Sequence, residues 1–150
     1  MMQMNTARHK MPLIFAGQAQ KELTHNEALA IIDALISPAV LDEIAAPVSN
    51  LGAGDAGKCW LVAPLAQGAW AGHDRKIAYW TGGSFRFLEP HEGMTVWQKA
   101  QSVFFVYQAG AWVSPAYIAD ISGGNVVDIE ARAAVNLILA GLREVGIIAR

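Results

Sequence analysis

The stretch YWTGGSFRF (Tyr79–Phe87) has the pattern of a β-hairpin: two aromatic residues, a turn with two glycines, and a second aromatic segment. Gly82 and Gly83 suit the positive φ angles of the tight primed turns that join hairpin strands. A second stretch, YQAGAWV (Tyr107–Val113), repeats the pattern around the turn QAG. This weak internal repeat indicates that the central part of the chain is built from hairpins.

Similar short segments extend on both sides of the first hairpin, between residues 58 and 115. They are rich in aromatic and β-branched residues and are bounded by glycine, proline or polar residues, which is typical of strands with short connections. Six strands are predicted, in KCWLVAP, RKIAYW, SFRFLEP, MTVWQ, SVFFVY and AWVSP. They predict a small antiparallel meander that curls into a barrel or roll.

All five tryptophans of the chain lie in this strand region. The favoured interpretation is that they fill the core of a small sheet, because each ring buries a large apolar area. The alternative is that some of them stack against the sugar rings of a host glycan. Trp70, which stands between small and polar residues, is expected to be the most exposed. The candidate glycan contacts are Trp70, Asp74, Tyr79, Gln108 and Trp112.

A helical pattern precedes the strands, over residues 24–46. THNE (Thr24–Glu27) has the form of a capping box, which starts a helix. Apolar residues then recur at helix spacing, at Ala28, Ile31, Ile32 and Leu35. Pro38 ends or kinks this helix because it excludes Ser37 from the α region. The segment AVLDEI (Ala39–Ile44) is predicted to be either a second short helix or an extended arm.

The last part of the chain predicts a second helix after a flexible joint at Ser122–Gly124. Asp128 is its predicted N-cap and Gly146 its stop. One face carries an apolar seam with a period of 3.5 residues, formed by Ala131, Val135, Ile138, Leu142 and Val145. A helix of this length is marginal on its own in water. Its partner is predicted to be either the sheet of the same chain or the same helix in neighbouring subunits.

The composition favours self-association over binding to nucleic acid or membrane. Of the 150 residues, 53% are hydrophobic and 16% are charged, whereas averages are about 45–50% and 25%. The net charge of −2 argues against a nucleic-acid partner, because phosphate binding requires a clustered basic face. No apolar run has the length of a signal peptide or a membrane span. We therefore expect a protein that is made in the cytoplasm. The single cysteine, Cys59, lies in the apolar segment CWLVAP and is expected to be buried in a strand.

No residue pattern indicates catalysis, a cofactor or a metal. The four histidines, His9, His25, His73 and His91, do not have metal-ligand spacing. The glycine-rich segment LGAGDAG (Leu51–Gly57) lacks the Gly-Lys-Ser/Thr ending of a phosphate loop. Glu89 with Glu92, or Asp74 with Glu89, would form a carboxylate pair only if the fold brought them together. The sequence therefore predicts a protein that is not an enzyme.

Three segments resemble a phage-associated family known only as domain of unknown function 2793. They are PLIFAGQAQKELTHNEAL (Pro12–Leu29), the run from Gly68 to Trp97, and YQAGAWV (Tyr107–Val113). The closing helix is also similar to one that often follows such domains. The resemblance implies a virion structural role in prophages or gene-transfer-agent-like elements, in a tail fibre or host-contact appendage. It implies a homo-oligomer, with a trimer favoured, and other tail proteins as partners.

The predicted organisation is α+β, in three parts. Residues 1–23 form an N-terminal arm, residues 24–121 a helix with an antiparallel β domain, and residues 122–150 a C-terminal helix. The arm docks either on a neighbouring subunit or on an edge strand of its own sheet. Gln18, Gln20 and Lys21 are the side chains expected to bind backbone groups there.

Overall fold

The computed structural model describes residues 5–14, 21–124 and 128–149. Within these ranges the fold is α+β, as predicted, with helices α1 (Lys21–Leu35) and α2 (Ile129–Glu144) at either end of the strands. The strands are β1 (Ala39–Val40), β2 (Glu43–Ile44), β3 (Cys59–Val62), β4 (Ile77–Trp80), β5 (Phe85–Leu88), β6 (Thr95–Gln98), β7 (Val103–Gln108) and β8 (Ala111–Val113). All six predicted strands are confirmed, as β3 to β8.

The strands form two four-stranded sheets, in the orders β2-β3-β4-β5 and β1-β6-β7-β8. Each sheet is a three-stranded antiparallel meander with a two-residue strand added in parallel at one edge. The predicted meander is thus divided between two sheets. The hairpins β4–β5 and β7–β8 occupy equivalent places in these sheets, which gives the weak sequence repeat a structural counterpart.

The segment Ala39–Ile44 connects the two sheets, and of its two predicted forms the extended one is observed and the short helix is not. Its first strand pairs with β6 and its second with β3. Between them the Leu41 N–H donates to the Cys59 carbonyl at 2.8 Å, and the Leu41 carbonyl accepts from the Ala100 N–H at 3.2 Å. One short segment therefore supplies an edge to both sheets and fixes one against the other.

The core lies between the two sheets and α1. Its most buried members are Ala34, Val40, Cys59, Leu61, Ile77, Tyr79, Leu88, Val96, Val103 and Phe105. A second cluster covers the opposite face of the β2–β5 sheet, where Trp60, Val62 and Ala78 pack with Trp70. The burial predicted for Cys59 is confirmed, and burial raises the pKa of its thiol to about 11.

Helix α1 begins earlier than the sequence suggests. It starts at Lys21, so Thr24 lies inside the helix and the predicted capping box is wrong. Asn26 has another role: its side chain accepts from the Ile14 N–H at 3.0 Å and donates to the Ile14 carbonyl at 2.9 Å. The helix ends at Leu35, before Pro38, as predicted.

Arm residues 5–14 dock on α1 of the same chain, rather than on an edge strand of its sheet. Docking of the arm on a neighbouring subunit stays a prediction. The anchor of residues 5–14 is Asp33, whose side chain is 0% exposed. Its carboxylate accepts from the Thr6 hydroxyl at 2.8 Å, the Arg8 N–H at 2.7 Å and the His9 N–H at 2.6 Å. The predicted contacts of Gln18, Gln20 and the Lys21 side chain lie outside the described residues.

The lowered pKa of Asp33 predicts that acid weakens the fold. Burial favours the neutral acid, but the donors from His9, Arg8 and Thr6 outweigh it, so the net pKa lies below its ordinary 3.8. A lowered pKa stabilises the fold above the ordinary value, and this stabilisation is lost as the pH falls through the folded value. Chemical denaturation at a series of pH values from neutral to acid should show that the free energy of unfolding declines below pH 3.8. An Asp33→Asn variant should show a flatter decline, and equal slopes for both proteins would contradict the assignment.

Candidate self-association interface

The ends of α2 are formed as the sequence predicts. Asp128 is the N-cap, and its carboxylate accepts from the Ala131 N–H at 2.8 Å. Gly146 follows the helix with a φ of +74°, the left-handed conformation that glycine adopts without strain. Both predicted boundary signals are therefore confirmed.

The chain after α2 is anchored on the outer face of the sheet β1-β6-β7-β8. The Phe104 N–H donates to the Gly146 carbonyl at 3.0 Å. The α-carbon of Gly146 lies so close to the Trp97 ring that a β-carbon would come within 2.5 Å of it. Ile148 is buried, and Ala149 forms a bridge with Tyr117. The C-terminal end of the helix is thereby fixed to its own domain.

One face of α2 is covered by the connecting segment, residues 114–124. The Arg132 guanidinium donates to the Gly123 carbonyl at 2.6 Å, and the Asn136 side chain accepts from the Ile121 N–H at 3.2 Å. Arg143 binds Asp120 and the Ile118 carbonyl. Three of the five polar side chains of α2 thus bind groups within the chain.

The predicted seam lies beside this covered face and is largely exposed. Ile138 is 61% exposed and Val145 is 52% exposed. Val135 and Ala131 are also exposed, and Leu142 is half-buried. The structure therefore brings the five seam residues together on one helix face, without covering them with the sheet of the same chain.

Exposed apolar side chains of α2 also lie outside the predicted seam. Leu137 is 74% exposed and Ile129 is 71% exposed, and neither belongs to the 3.5-residue repeat. Residues 133–142 contain no charged side chain. A helix that is apolar on most sides is normally buried, so this uncharged run indicates that α2 has a partner surface. The seam is the group of exposed apolar side chains that share one face, whereas Leu137 and Ile129 lie on other sides of the helix.

The candidate glycan contacts do not form one surface. Trp70 is 0% exposed, so its predicted exposure is wrong. The short turn Gly68–Trp70 places its ring over the outer face of the β2–β5 sheet, edge-on to Phe85 at 5.2 Å. Tyr79 is also buried, but in the core on the opposite face of that sheet. Neither ring can stack on a sugar.

The other three candidates lie nearer the surface. The Trp112 indole N–H donates to the Arg75 carbonyl at 2.7 Å, and the ring is half-buried against Tyr107. Asp74 accepts from the Ala66 N–H at 2.9 Å, and Gln108 is exposed at the end of β7. Glycan binding through these three residues stays a prediction.

The carboxylates considered for catalysis have other partners. Glu89 pairs with Lys76 at 2.5 Å, and Glu92 accepts from the Ala109 N–H at 3.2 Å. Over the described ranges, the His, Cys, Asp and Glu side chains form no group of three that could hold a metal ion. Neither α1 nor α2 is long and apolar enough to cross a bilayer.

Comparison with known proteins identifies a family but no curated relative. A family model described as a protein of unknown function, DUF2793, matches residues 25–113. The matched region runs from α1 through β8 and so includes both sheets, while arm residues 5–14 and α2 lie outside it. No curated protein matches the chain.

Proposed function

The chain belongs to the DUF2793 family, and from this membership and the exposed seam of α2 we propose a non-enzymatic structural protein whose copies associate through that helix. The proposed setting is a phage or prophage tail fibre, or a host-contact appendage of a gene-transfer-agent-like particle. The protein would be made in the cytoplasm and assembled into the particle with other tail proteins. The resemblance of Pro12–Leu29 and Gly68–Trp97 to phage-associated proteins supports this setting.

The observation that carries self-association is the exposed seam with its 3.5-residue period. That period matches helices that pack side by side over several turns. The partner that suits this seam best is α2 of another copy of the chain, because symmetric association brings each seam residue close to its own counterpart. A charged seam would repel itself, whereas residues 133–142 are uncharged. Burial of one Ile, Leu or Val side chain contributes about 1.5–3 kcal/mol.

Three copies are what the family resemblance implies, and the residues of the seam are compatible with a trimer. Val135 and Leu142 occupy a positions of the heptad, and Ala131, Ile138 and Val145 occupy d positions. Leucine at a with isoleucine at d, as at Leu142 and Ile138, shifts the preference towards trimers or tetramers, whereas the other a position is Val135.

The solution mass of the full chain tests this proposal. Light scattering on a size-exclusion column should give a trimer, and an Ile138→Asp variant should give a monomer because its carboxylates would be forced together at the axis. Ala140→Asp is the matched control: this residue is exposed on nearly the opposite side of α2, so the trimer should persist. A monomeric wild-type protein at all concentrations, or equal masses for the two variants, would overturn self-association through α2.

Point variants are a sharper test than a truncation that ends at Ser122. Removal of the closing residues would also uncover Trp97 and Phe104, which contact the chain around Gly146. New apolar surface on the sheet would then change the association state for an unrelated reason. Both point variants leave this contact in place.

A further inference from the structure

A small cavity of about 210 Å³ lies where the N-terminal arm, the glycine-rich loop and the end of β6 meet. Its apolar wall consists of Ala39, Leu41, Ala56 and the buried Cys59, and Gly54 and Gly57 contribute backbone. Three basic residues complete the lining: Arg8, Lys58 and Lys99. They come from three separate parts of the chain, so only the folded protein brings them together.

The three basic groups give this cavity an excess of positive charge. Within the ranges that the structure describes, Lys58 forms an ion pair with Asp55 at 2.5 Å, while the side chains of Arg8 and Lys99 pair with no carboxylate. The Arg8 guanidinium instead donates to the carbonyls of Ala34, at 2.6 Å, and Ser37, at 2.9 Å. These neutral acceptors hold the guanidinium in place without cancelling its full charge.

The charges of Arg8 and Lys99 reach the buried Cys59 thiol in the wall of the cavity. Burial raises the pKa of this thiol, the two cations lower it, and the Asp33 carboxylate raises it by a smaller effect. The thiol therefore stays neutral at physiological pH and adds no negative charge. Because apolar walls limit the solvent on one side, the cations act more strongly on an anion here than in open water.

We propose that this cavity binds a phosphate group, either as free phosphate or as the ester of a larger molecule. A phosphate carries more negative charge than a carboxylate and offers several acceptor oxygens, which suits a cavity lined by an arginine and two lysines from separate parts of the chain. The segment LGAGDAG (Leu51–Gly57) lacks the ending of a phosphate loop but lines the cavity through two of its glycines. Its role is to leave space beside the cations. This site is independent of self-association through α2.

Gly57 illustrates how the loop and the arm fit together. It has a φ of +90°, and a β-carbon on it would approach the Ala7 side chain to 2.9 Å and the Arg8 side chain to 3.0 Å. A larger residue would displace the arm and carry Arg8 away from the cavity. The glycine therefore supports the position of one of the three cations.

Calorimetric titration of the full chain with inorganic phosphate tests this proposal, against sodium chloride of equal ionic strength. Wild-type protein should show one saturable site per chain. Lys99→Ala should weaken binding about tenfold, and Lys99→Glu should abolish it. Arg86→Ala is the control: it removes one positive charge from β5, where Arg86 pairs with Glu27 at 3.3 Å, and should leave the affinity unchanged. Lys99 is exposed, so its variants should fold.

Titration with a sugar phosphate separates the two sources of the ligand. Tighter binding of the ester than of inorganic phosphate would support the site and indicate a phosphorylated polymer or metabolite. Tighter binding of inorganic phosphate would support it as a site for the free ion. Absence of saturable binding by both compounds, or equal losses in Lys99→Ala and Arg86→Ala, would overturn the proposal. None of these outcomes depends on whether the protein forms a trimer.

Discussion

Replacement of Asp33 by alanine is expected to lower the free energy of unfolding by about 3 kcal/mol and to release the N-terminal arm. The substitution removes the acceptor for the Thr6 hydroxyl and for the N–H groups of Arg8 and His9. Each buried donor without an acceptor costs about 1–3 kcal/mol. The arm can recover water for these groups by detaching, so the loss should appear first as detachment.

Two measurements distinguish arm release from general unfolding. Chemical denaturation gives the loss of stability, and brief trypsin digestion reports access to the bonds after Arg8 and Lys10. In Asp33→Ala both bonds should be cut much faster than in the wild-type protein, while the sheets stay protected. Asp74→Ala is the control, because Asp74 is exposed and accepts only from the Ala66 N–H among described donors. Wild-type digestion rates in Asp33→Ala would show that Asp33 does not hold the arm.

The strand region could be predicted because the residues that begin and end each strand are its immediate neighbours in the sequence. Each of the six predicted strands is bounded by turn residues that stop it, and both hairpin turns contain a glycine with a positive φ. Gly82 adopts +99° and Gly110 adopts +78°, but Gly83 does not have a positive φ, so the predicted turn with two such glycines is wrong in that detail. The N-cap of α2 and its glycine stop are local signals as well. In these places the nearest neighbours in sequence decide the structure.

The pairing of distant segments could not be predicted in the same way. Strands β1 and β2 are two residues long, too short for any periodicity, and they exist because β6 and β3 offer free edges. Trp70 stands among small and polar residues, yet the outer face of the β2–β5 sheet presents Phe85 and Phe87, which its ring covers. Burial there is decided by a surface that forms elsewhere in the chain.

The contact between α1 and arm residues 5–14 has a pattern in the sequence that can be recognised once the structure is known. Asn26 and Asp33 are seven residues apart, which places both on one face of α1 two turns from each other. Asn26 binds the backbone of Ile14, and Asp33 binds that of Arg8 and His9. Two short polar side chains at this spacing mark a helix face that holds an extended segment. The supposed capping box concealed this pattern because it explained Asn26 only as a residue near a helix start.

Replacement of Gly146 by alanine is expected to detach the chain after α2 from the sheet and to cost about 3 kcal/mol. A residue with a side chain is disfavoured by about 1–2 kcal/mol at a positive φ, and Gly146 has a φ of +74°. Its β-carbon would also lie 2.5 Å from the Trp97 ring and 2.8 Å from the Ser102 carbonyl oxygen. The second of these atoms is backbone and cannot move aside cheaply, and overpacking of this kind adds about 1–3 kcal/mol.

Gly141→Ala is the matched control, since it makes the same substitution one turn and a half earlier. A β-carbon at Gly141 meets no atom within 4 Å, and alanine is the better helix former by about 1 kcal/mol. Denaturation at one fixed protein concentration should therefore show opposite signs, with Gly146→Ala destabilised and Gly141→Ala slightly stabilised. The summed fluorescence of the five tryptophans should shift to the red in the first variant only, as water reaches the Trp97 ring. Equal stability of the two variants would mean that the closing residues do not rest on this sheet, and that α2 has no fixed orientation from which to present its seam.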